Sequence, residues 1–277
     1  MKRIKNILRH NTPVWMRPML HIPEFKNELL NFYNIKKANG KNQSVLFFTT
    51  HKCASVGMKK LLPYLLSENY IFQNIDGFIA KYFQKEVEIE YSNFRIMNMF
   101  KNEGYVYAPL RKFQKIENMS SYKVILFLRD PIDVLVSHYH SVTKSHGVIN
   151  KKLIIDREKA KEQDIDDFSI EYSNAYEKIY SDYKNMMISN NVLQLGYSEF
   201  INNPSEFSSR ICNYLELDIT KSTLDLINKE FMISKLDKGG KSHIRSGMTG
   251  TGRKELKLET IIYLEAKFKH FTEEFKF

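Results

Sequence analysis

Two short segments of the chain carry basic and hydroxyl side chains directly after apolar runs. In the first segment, Lys52 and Ser55 follow the apolar residues 45–48. In the second segment, Arg129 follows the apolar residues 124–128. A lysine, a guanidinium and the unpaired backbone N–H groups at a helix start all bind phosphate or sulfate. The two segments therefore predict a binding site for an anionic ligand.

The first segment predicts a strand, a tight loop and a helix that begins near Ser55. Its apolar run is typical of a strand covered on both faces in a parallel sheet, and a helix start directs unpaired N–H groups at the preceding loop. The common nucleotide-binding loop, GxxxxGK followed by Ser or Thr, has a magnesium-binding hydroxyl directly after its lysine. Here Lys52 precedes Ser55, and no glycine-rich run precedes the lysine. This order favours anion binding without a metal; the alternative is an ordinary strand-to-helix connection with an exposed lysine.

The second segment predicts a strand that ends at Arg129 and a helix that follows it at once. Asp130 is a favourable N-cap, and Pro131 suits the first helical turn. Arg129 then lies at the carboxyl end of a parallel strand, where open α/β sheets bind ligands, and Ser137 lies on the helix that leaves the same edge. A guanidinium there can donate two hydrogen bonds to one phosphate. The alternative is a structural ion pair between Arg129 and Asp130 or Asp133.

Strands and helices alternate along the chain. This alternation predicts a three-layer α/β fold with a central, mainly parallel sheet and a strand-loop-helix anion site of the P-loop kind. The predicted strands span residues 44–50, 104–108, 123–128 and 192–196. The predicted helices span residues 55–67, 131–145, 169–191, 204–215 and 254–271.

The composition describes one globular domain with a basic balance. Of the 277 residues, 43% are hydrophobic, which is enough to build a large core. The formal net charge of +10 suits a polyanionic ligand. A nucleic-acid-binding protein is an alternative, but its cations are expected as a stripe with interleaved aromatic residues. The basic residues singled out above lie at predicted strand ends and in loops, so we expect no nucleic-acid partner.

Cysteine usage and hydropathy indicate a reducing, cytoplasmic location. The two cysteines, Cys53 and Cys212, do not form a disulfide framework, and no His and Cys cluster has zinc-site spacing. The first twenty residues are basic but lack the apolar core of a signal peptide. No apolar run reaches the roughly 18 residues that span a bilayer. We therefore expect neither a metal nor a transmembrane segment.

Taken together, these segments resemble the sulfotransferase family that uses 3′-phosphoadenosine 5′-phosphosulfate (PAPS). HKCASVG resembles the 5′-phosphosulfate loop of the family, with Lys52 on the family lysine and Ser55 on its first hydroxyl residue. LRDPIDVLVSHY resembles the 3′-phosphate motif, with Arg129 and Ser137 on the family Arg and Ser. In the stretch from VLQLGYSEF onward, Tyr197 falls on the tyrosine that contacts the nucleotide.

A fourth motif, IRSGMTGTGRKEL, is similar to the closing loop of the same family. Arg245, Gly247, Gly250 and Arg253 align with basic and glycine positions of that loop. Its glycines and basic residues could direct backbone N–H groups and cations at a phosphate, the alternative being a flexible basic surface loop. The resemblance implies the following donor-binding residues: Lys52, Cys53, Ala54, Ser55, Val56, Gly57, Arg129, Ser137, Tyr197, Arg245, Ser246 and Gly247.

The resemblance implies a single sulfotransferase domain over residues 1–277 that moves a sulfuryl group from PAPS to an acceptor hydroxyl or amine. The product of the donor would be adenosine 3′,5′-bisphosphate (PAP). The acceptor would be a small molecule, a carbohydrate or a lipid. Residues 1–40 would form an N-terminal extension, and the charged residues 147–167 a mobile insertion near the acceptor cleft, with a solvated helix as the alternative. A nucleotide kinase would share the anion site but needs magnesium ligands, and none has the right spacing.

The chain departs from the family pattern at three places. Gly57 stands where an aromatic residue commonly stacks on adenine, which leaves Phe231 as a candidate for stacking, and Ser246 replaces the lysine of the closing loop. The strand that often carries a catalytic histidine has none in residues 104–113. The resemblance then leaves Asp76, at the position of an acidic base in other members, as the first candidate for the catalytic base. His51, which neighbours the catalytic candidate Lys52, is the second.

Overall fold

The structure is a computed structural model, and it describes residues 17–35, 38, 40, 42–83, 94–145, 151–189, 191–231 and 248–277. Its strands are β1 (Val45–Thr49), β2 (Ile71–Gln73), β3 (Tyr105–Leu110), β4 (Lys123–Leu128) and β5 (Val192–Gly196). Its α-helices are α1 (Arg17–Phe32), α2 (Ser55–Leu66), α3 (Ile75–Phe78), α4 (Phe94–Met97), α5 (Pro131–His140), α6 (Lys151–Glu162), α7 (Ile165–Ser189), α8 (Tyr197–Asn202), α9 (Pro204–Tyr214), α10 (Lys221–Phe231) and α11 (Leu258–Phe275).

The described strands form one parallel sheet, which confirms the predicted α/β class. The strand order is β2-β3-β1-β4-β5. Ile71 pairs with Tyr105 where β2 meets β3, and Val124 pairs with Val192 where β4 meets β5. All five residues of β1 are buried, as are the last five of β4, which explains their continuous apolar runs. The predicted strands 123–128 and 192–196 match β4 and β5 at both ends.

The prediction did not include the strand β2 or the helices α1, α3, α4, α8 and α10, and it included α6 only as the alternative for residues 147–167. The strand β2 has only three residues, too few for a periodic signal. The helix α10 was absent from the prediction, and α6 forms within the charged segment 147–167. In α6, Ala160 is buried against Val142 and Phe168, so this part of the segment is a packed helix. The mobility proposed for the segment stays a prediction, as does the single-domain organisation.

The chain divides into two compact units. The first comprises Met1–Phe47, Leu62–Leu110 and Gln114–Lys123. In it, Phe78 packs against Phe25 and Phe32 with ring centroids 5.8 Å apart in both pairs. Such edge-to-face contacts add to the stability that apolar burial provides. This aromatic cluster joins α1 to α3.

The second unit comprises Phe48–Leu61, Arg111–Phe113 and Val124–Phe277. Its longest helix, α7, packs against α5 and α11. The helix α5 begins as predicted, because the Asp130 side chain accepts hydrogen bonds from the N–H groups of Ile132 and Asp133, and Pro131 fills the first helical position. No helix among the described residues is long and apolar enough to cross a membrane.

Candidate functional site

The loop of residues 52–57, called the phosphosulfate loop below, turns sharply between β1 and α2. Lys52 and Ala54 both have positive φ angles, of 63° and 41°. Residues other than glycine rarely adopt this conformation, and such strain is concentrated at ligand sites. Between them, Cys53 is fully buried and its Sγ donates to the carbonyl of Phe127 at 3.5 Å. Burial raises the pKa of the Cys53 thiol to about 12, so Cys53 acts in packing rather than as a thiolate.

Packing against Phe200 accounts for the glycine at position 57. A Cβ atom at Gly57 would lie 3.2 Å from Cζ and 3.3 Å from Cε1 of the Phe200 ring, closer than ordinary van der Waals contact. An aromatic side chain on Gly57 would therefore displace Phe200, which is buried in α8. The departure from the family pattern at this position has a steric cause.

Lys52 lies among other cations. Its pKa is lowered by burial and by the charges of Arg129 and Arg111. Arg111 directly follows β3, and Phe113 in the same short segment packs against Phe48 of β1 with ring centroids 5.9 Å apart. The sequence prediction did not include Arg111. The signal was present, because a basic residue directly after a buried strand is the pattern that identified Arg129.

Arg129 is 7% exposed and its guanidinium contacts several groups of the protein. Nη2 donates to the carbonyl of Met248 at 3.0 Å and lies 3.4 Å from Oδ2 of Asp133, while Nη1 donates to the carbonyl of Lys52 at 3.4 Å. The guanidinium also lies over the Tyr197 ring, 4.3 Å from its centroid. Nε is buried and has no hydrogen-bond partner within the described part of the chain. The ion pair with Asp133 considered above is therefore present, and one donor of Arg129 is still available.

Two tyrosines of α7 hold the strand ends that carry these cations. The hydroxyl of Tyr180 donates to the carbonyl of Arg129, and the hydroxyl of Tyr183 donates to the carbonyl of Thr49 at 2.6 Å. Both side chains are fully buried. Because β1 and β4 are neighbours in the sheet, one helix fixes the ends of both strands.

A cavity of about 720 Å³ opens against Arg129 and Tyr197. Tyr197 begins α8, and burial raises the pKa of its phenol, so it is neutral and able to donate a hydrogen bond. Arg253 and Lys269 add two cations to the lining. The volume is in the range of small-molecule and cofactor sites.

Residues 248–253, called the closing segment below, are docked on the start of α5. The Asp133 carboxylate accepts hydrogen bonds from the N–H groups of Gly250 at 2.8 Å and Gly252 at 2.7 Å. Arg253 donates to Oδ2 of Asp130 at 3.0 Å and to Oε1 of Glu265 at 2.8 Å. The expectation that the backbone N–H groups of this loop point at a phosphate is therefore corrected for Gly250 and Gly252, whose hydrogen atoms point at a carboxylate of the protein.

The other predicted residues lie in different surroundings. Ser137 is half-buried on α5, and Phe231 is half-buried at the end of α10. Asp76 is 4% exposed in α3 and belongs to the first compact unit, whereas the exposed His51 belongs to the second. Arg245, Ser246 and Gly247 lie outside the described residues. Across the described ranges, no group of His, Cys, Asp and Glu side chains has a metal-binding arrangement.

Comparison with known proteins finds one matching family and several solved structures with a similar fold. A family profile described as "Sulfotransferase domain" matches residues 106–260, more than half of the chain. Mouse sulfotransferase SULT7A1 complexed with PAP has a similar structure, with a TM-score of 0.60 at 10% identity over 87% of this chain and 89% of that one. No curated protein sequence matches the chain significantly.

Retinol dehydratase is similar in two solved complexes, each 16% identical and each matched over 87% of this chain. The complex with retinol and PAP has a TM-score of 0.56 over 84% of its chain. The complex with androsterone and inactive cofactor PAP has a TM-score of 0.57 over 83% of its chain. At these identities the structural likeness concerns the fold. The family match does not favour the kinase or the nucleic-acid-binding alternative.

Proposed function

The chain belongs to the sulfotransferase family and is a sulfotransferase, and from this premise we propose which of its residues bind PAPS and which act in sulfuryl transfer. The observation that carries the proposal is the convergence of Lys52, Arg111 and Arg129: burial and the charges of the two guanidinium groups lower the pKa of the Lys52 amine. Cations brought together in this way favour a polyanion between them.

The residues of the second unit fit a donor with an anion at each end. Arg129 offers a buried Nε–H group for the 3′-phosphate, and Ser137 on α5 is the proposed hydroxyl donor beside it. The phosphosulfate loop offers Lys52, Ser55 and the N–H groups at the start of α2. The cavity against Arg129 and Tyr197 has room for part of the nucleotide beside Arg129. Phe231 is the proposed stacking residue for adenine.

Lys52 is the residue that we assign to the transfer step. When bound, PAPS supplies a sulfuryl group attached to a phosphate that can leave. Charge grows on the bridging oxygen only as that bond breaks, and a fixed ammonium group stabilises such charge in the transition state more than in the ground state. Arg111, which acts electrostatically on the same ammonium group, is proposed to neutralise the sulfuryl oxygens.

The acceptor must lose a proton as the new sulfur–oxygen bond forms. Asp76 is the first candidate for the base, because its position matches that of an acidic base in other family members and its carboxylate is almost fully buried. His51 is the second, because it adjoins Lys52 in the chain and an imidazole is a common proton acceptor in catalysis. We propose a hydroxyl or amine acceptor, and a small molecule is favoured over a carbohydrate because the retinol dehydratase complexes hold retinol and androsterone.

Calorimetry with PAP and with adenosine 5′-phosphate tests the donor site directly. We expect PAP to bind more tightly, because only PAP has the 3′-phosphate. Arg129→Ala should remove a charge-assisted hydrogen bond to the 3′-phosphate worth roughly 1.5 to 3 kcal/mol and weaken PAP binding by about ten- to a hundredfold. Arg210→Ala is the matched control, since Arg210 is a half-buried arginine of the same unit that pairs with Glu199, away from Arg129. Equal affinity for the two nucleotides in the unaltered protein would refute the proposal.

A further inference from the structure

Asp133 is a buried carboxylate that joins two parts of the proposed donor site. It is 1% exposed, and each of its oxygens accepts one backbone N–H from the closing segment, Oδ1 from Gly252 and Oδ2 from Gly250. Oδ2 also lies 3.4 Å from Nη2 of Arg129. A buried charge is tolerated when hydrogen bonds and an opposite charge satisfy it, and Asp133 has both.

The same guanidinium nitrogen is fixed from a second direction. Nη2 of Arg129 donates to the carbonyl of Met248, two residues before the first glycine that Asp133 holds. The closing segment is thus attached to Arg129 directly through Met248 and indirectly through Asp133. Contacts within the protein therefore dock the segment beside Arg129.

The approach of the segment to α5 is close enough to require a glycine. A Cβ atom at Gly252 would lie 3.0 Å from Oδ1 of Asp133 and 3.1 Å from both the Asp133 Cα and the Ile132 carbonyl oxygen. Backbone atoms cannot move aside as a side chain can. Gly252 therefore permits the two short hydrogen bonds to Asp133.

We propose that Asp133 is the positioning residue of the 3′-phosphate site. By holding Nη2 of Arg129 and the closing segment together, it turns the guanidinium so that the buried Nε–H, which has no hydrogen-bond partner among the described residues, is the donor presented to the ligand. This inference rests on the proposed donor site and adds to it the residue that aligns Arg129. A purely structural Asp133 would affect stability but not the recognition of the 3′-phosphate.

The test compares Asp133→Asn with Asp166→Asn. Asp166 is also buried and also accepts a backbone N–H, from Lys257 just beyond the closing segment, but it has no contact with Arg129 among those described. For each protein, calorimetry gives the ratio of PAP to adenosine 5′-phosphate affinity. NMR hydrogen exchange on the ligand-free protein gives the protection of the Gly250 and Gly252 amides.

We expect Asp133→Asn to lower the affinity ratio about tenfold, the effect of losing one hydrogen bond to a charged group, and to speed exchange at one or both amides. Asp166→Asn should change neither. Gly252→Ala is a second variant that keeps the carboxylate but displaces the segment, and it should reproduce the loss of the ratio if Asp133→Asn does not fold.

The outcomes separate this inference from the function on which it rests. If the unaltered protein binds both nucleotides equally, the donor site itself is wrong. If it prefers PAP and both the Asp133→Asn and Gly252→Ala proteins keep that preference, or if amide exchange is equally fast with and without the carboxylate, Asp133 is not a positioning residue and the donor site stands.

Discussion

The phosphosulfate loop and the closing segment both carry cations, but among the described residues only the cation of the closing segment is paired with acids of the protein. At the loop, every influence on the Lys52 pKa lowers it: burial, Arg129 and Arg111. At the closing segment, Arg253 pairs with Asp130 and Glu265, and these acids raise its pKa although burial lowers it.

This difference separates a reactive region from a supporting one. Charge that the protein leaves unbalanced interacts strongly with an incoming anion or with charge that forms in a transition state. Charge that is already balanced fixes the chain instead. We therefore expect substitutions at the loop to reduce catalysis with little cost in stability, and substitutions at the closing segment to act through geometry.

The largest expected effect concerns the catalytic base. It tests whether Asp76, or His51 beside the phosphosulfate loop, takes the proton from the acceptor. Replacing the true base should lower turnover by about 10²- to 10⁴-fold, since that is the usual contribution of a general base. We expect Asp76→Asn to do so and to remove the acidic limb of the pH–rate profile, whereas His51→Ala leaves that limb in place. The opposite result would assign proton transfer to His51, directly before the phosphosulfate loop. Unchanged profiles in both variants would exclude both residues.

The next effect tests whether Lys52 serves the reaction rather than the fold. Lys52→Ala should reduce the single-turnover rate about 100-fold or more, as does the loss of one preorganised donor. Because the folded protein disfavours the charged form of Lys52, thermal unfolding should occur at an unchanged or higher temperature. Lys60→Ala, at an exposed lysine of α2, is the control. A normal rate, or a large loss of stability, would contradict the assigned role.

The smallest expected effect concerns the repulsion between the charges of Arg111 and Lys52. An anionic donor binds the protonated form of Lys52, so its affinity should fall as pH rises through the lowered pKa of that group. Arg111→Gln removes one cause of the lowering, so the fall should move to higher pH while the affinity at neutral pH drops about tenfold. Calorimetry across pH measures both, with Lys112→Gln as the neighbouring control. If the donor affinity of Arg111→Gln instead fell at a lower pH than that of the unaltered protein, the proposed effect of Arg111 on the Lys52 pKa would be contradicted.

Much of the loop region could be predicted from the sequence, and little of the closing segment could. Lys52 and Arg129 follow long apolar runs, and such runs identify buried strands locally. The partners of Asp133 lie 117 and 119 residues away in the chain, and no local pattern indicates which of several acids in a helical turn accepts distant N–H groups. The contact between Phe200 and Gly57 could not be predicted either, because the two residues lie far apart in the chain.

The two tyrosines of α7 fix the distance between the ends of two neighbouring strands. Residues three apart on a helix are separated by about 4.5 Å along its axis, which is close to the spacing of about 4.8 Å between neighbouring strands. Tyr180 and Tyr183 can therefore each reach the end of a different strand from a single helix that crosses them. The distance between the ends of β1 and β4 is thus set by helical pitch and sheet spacing. The segments that carry Lys52 and Arg129 leave the sheet from these two fixed points.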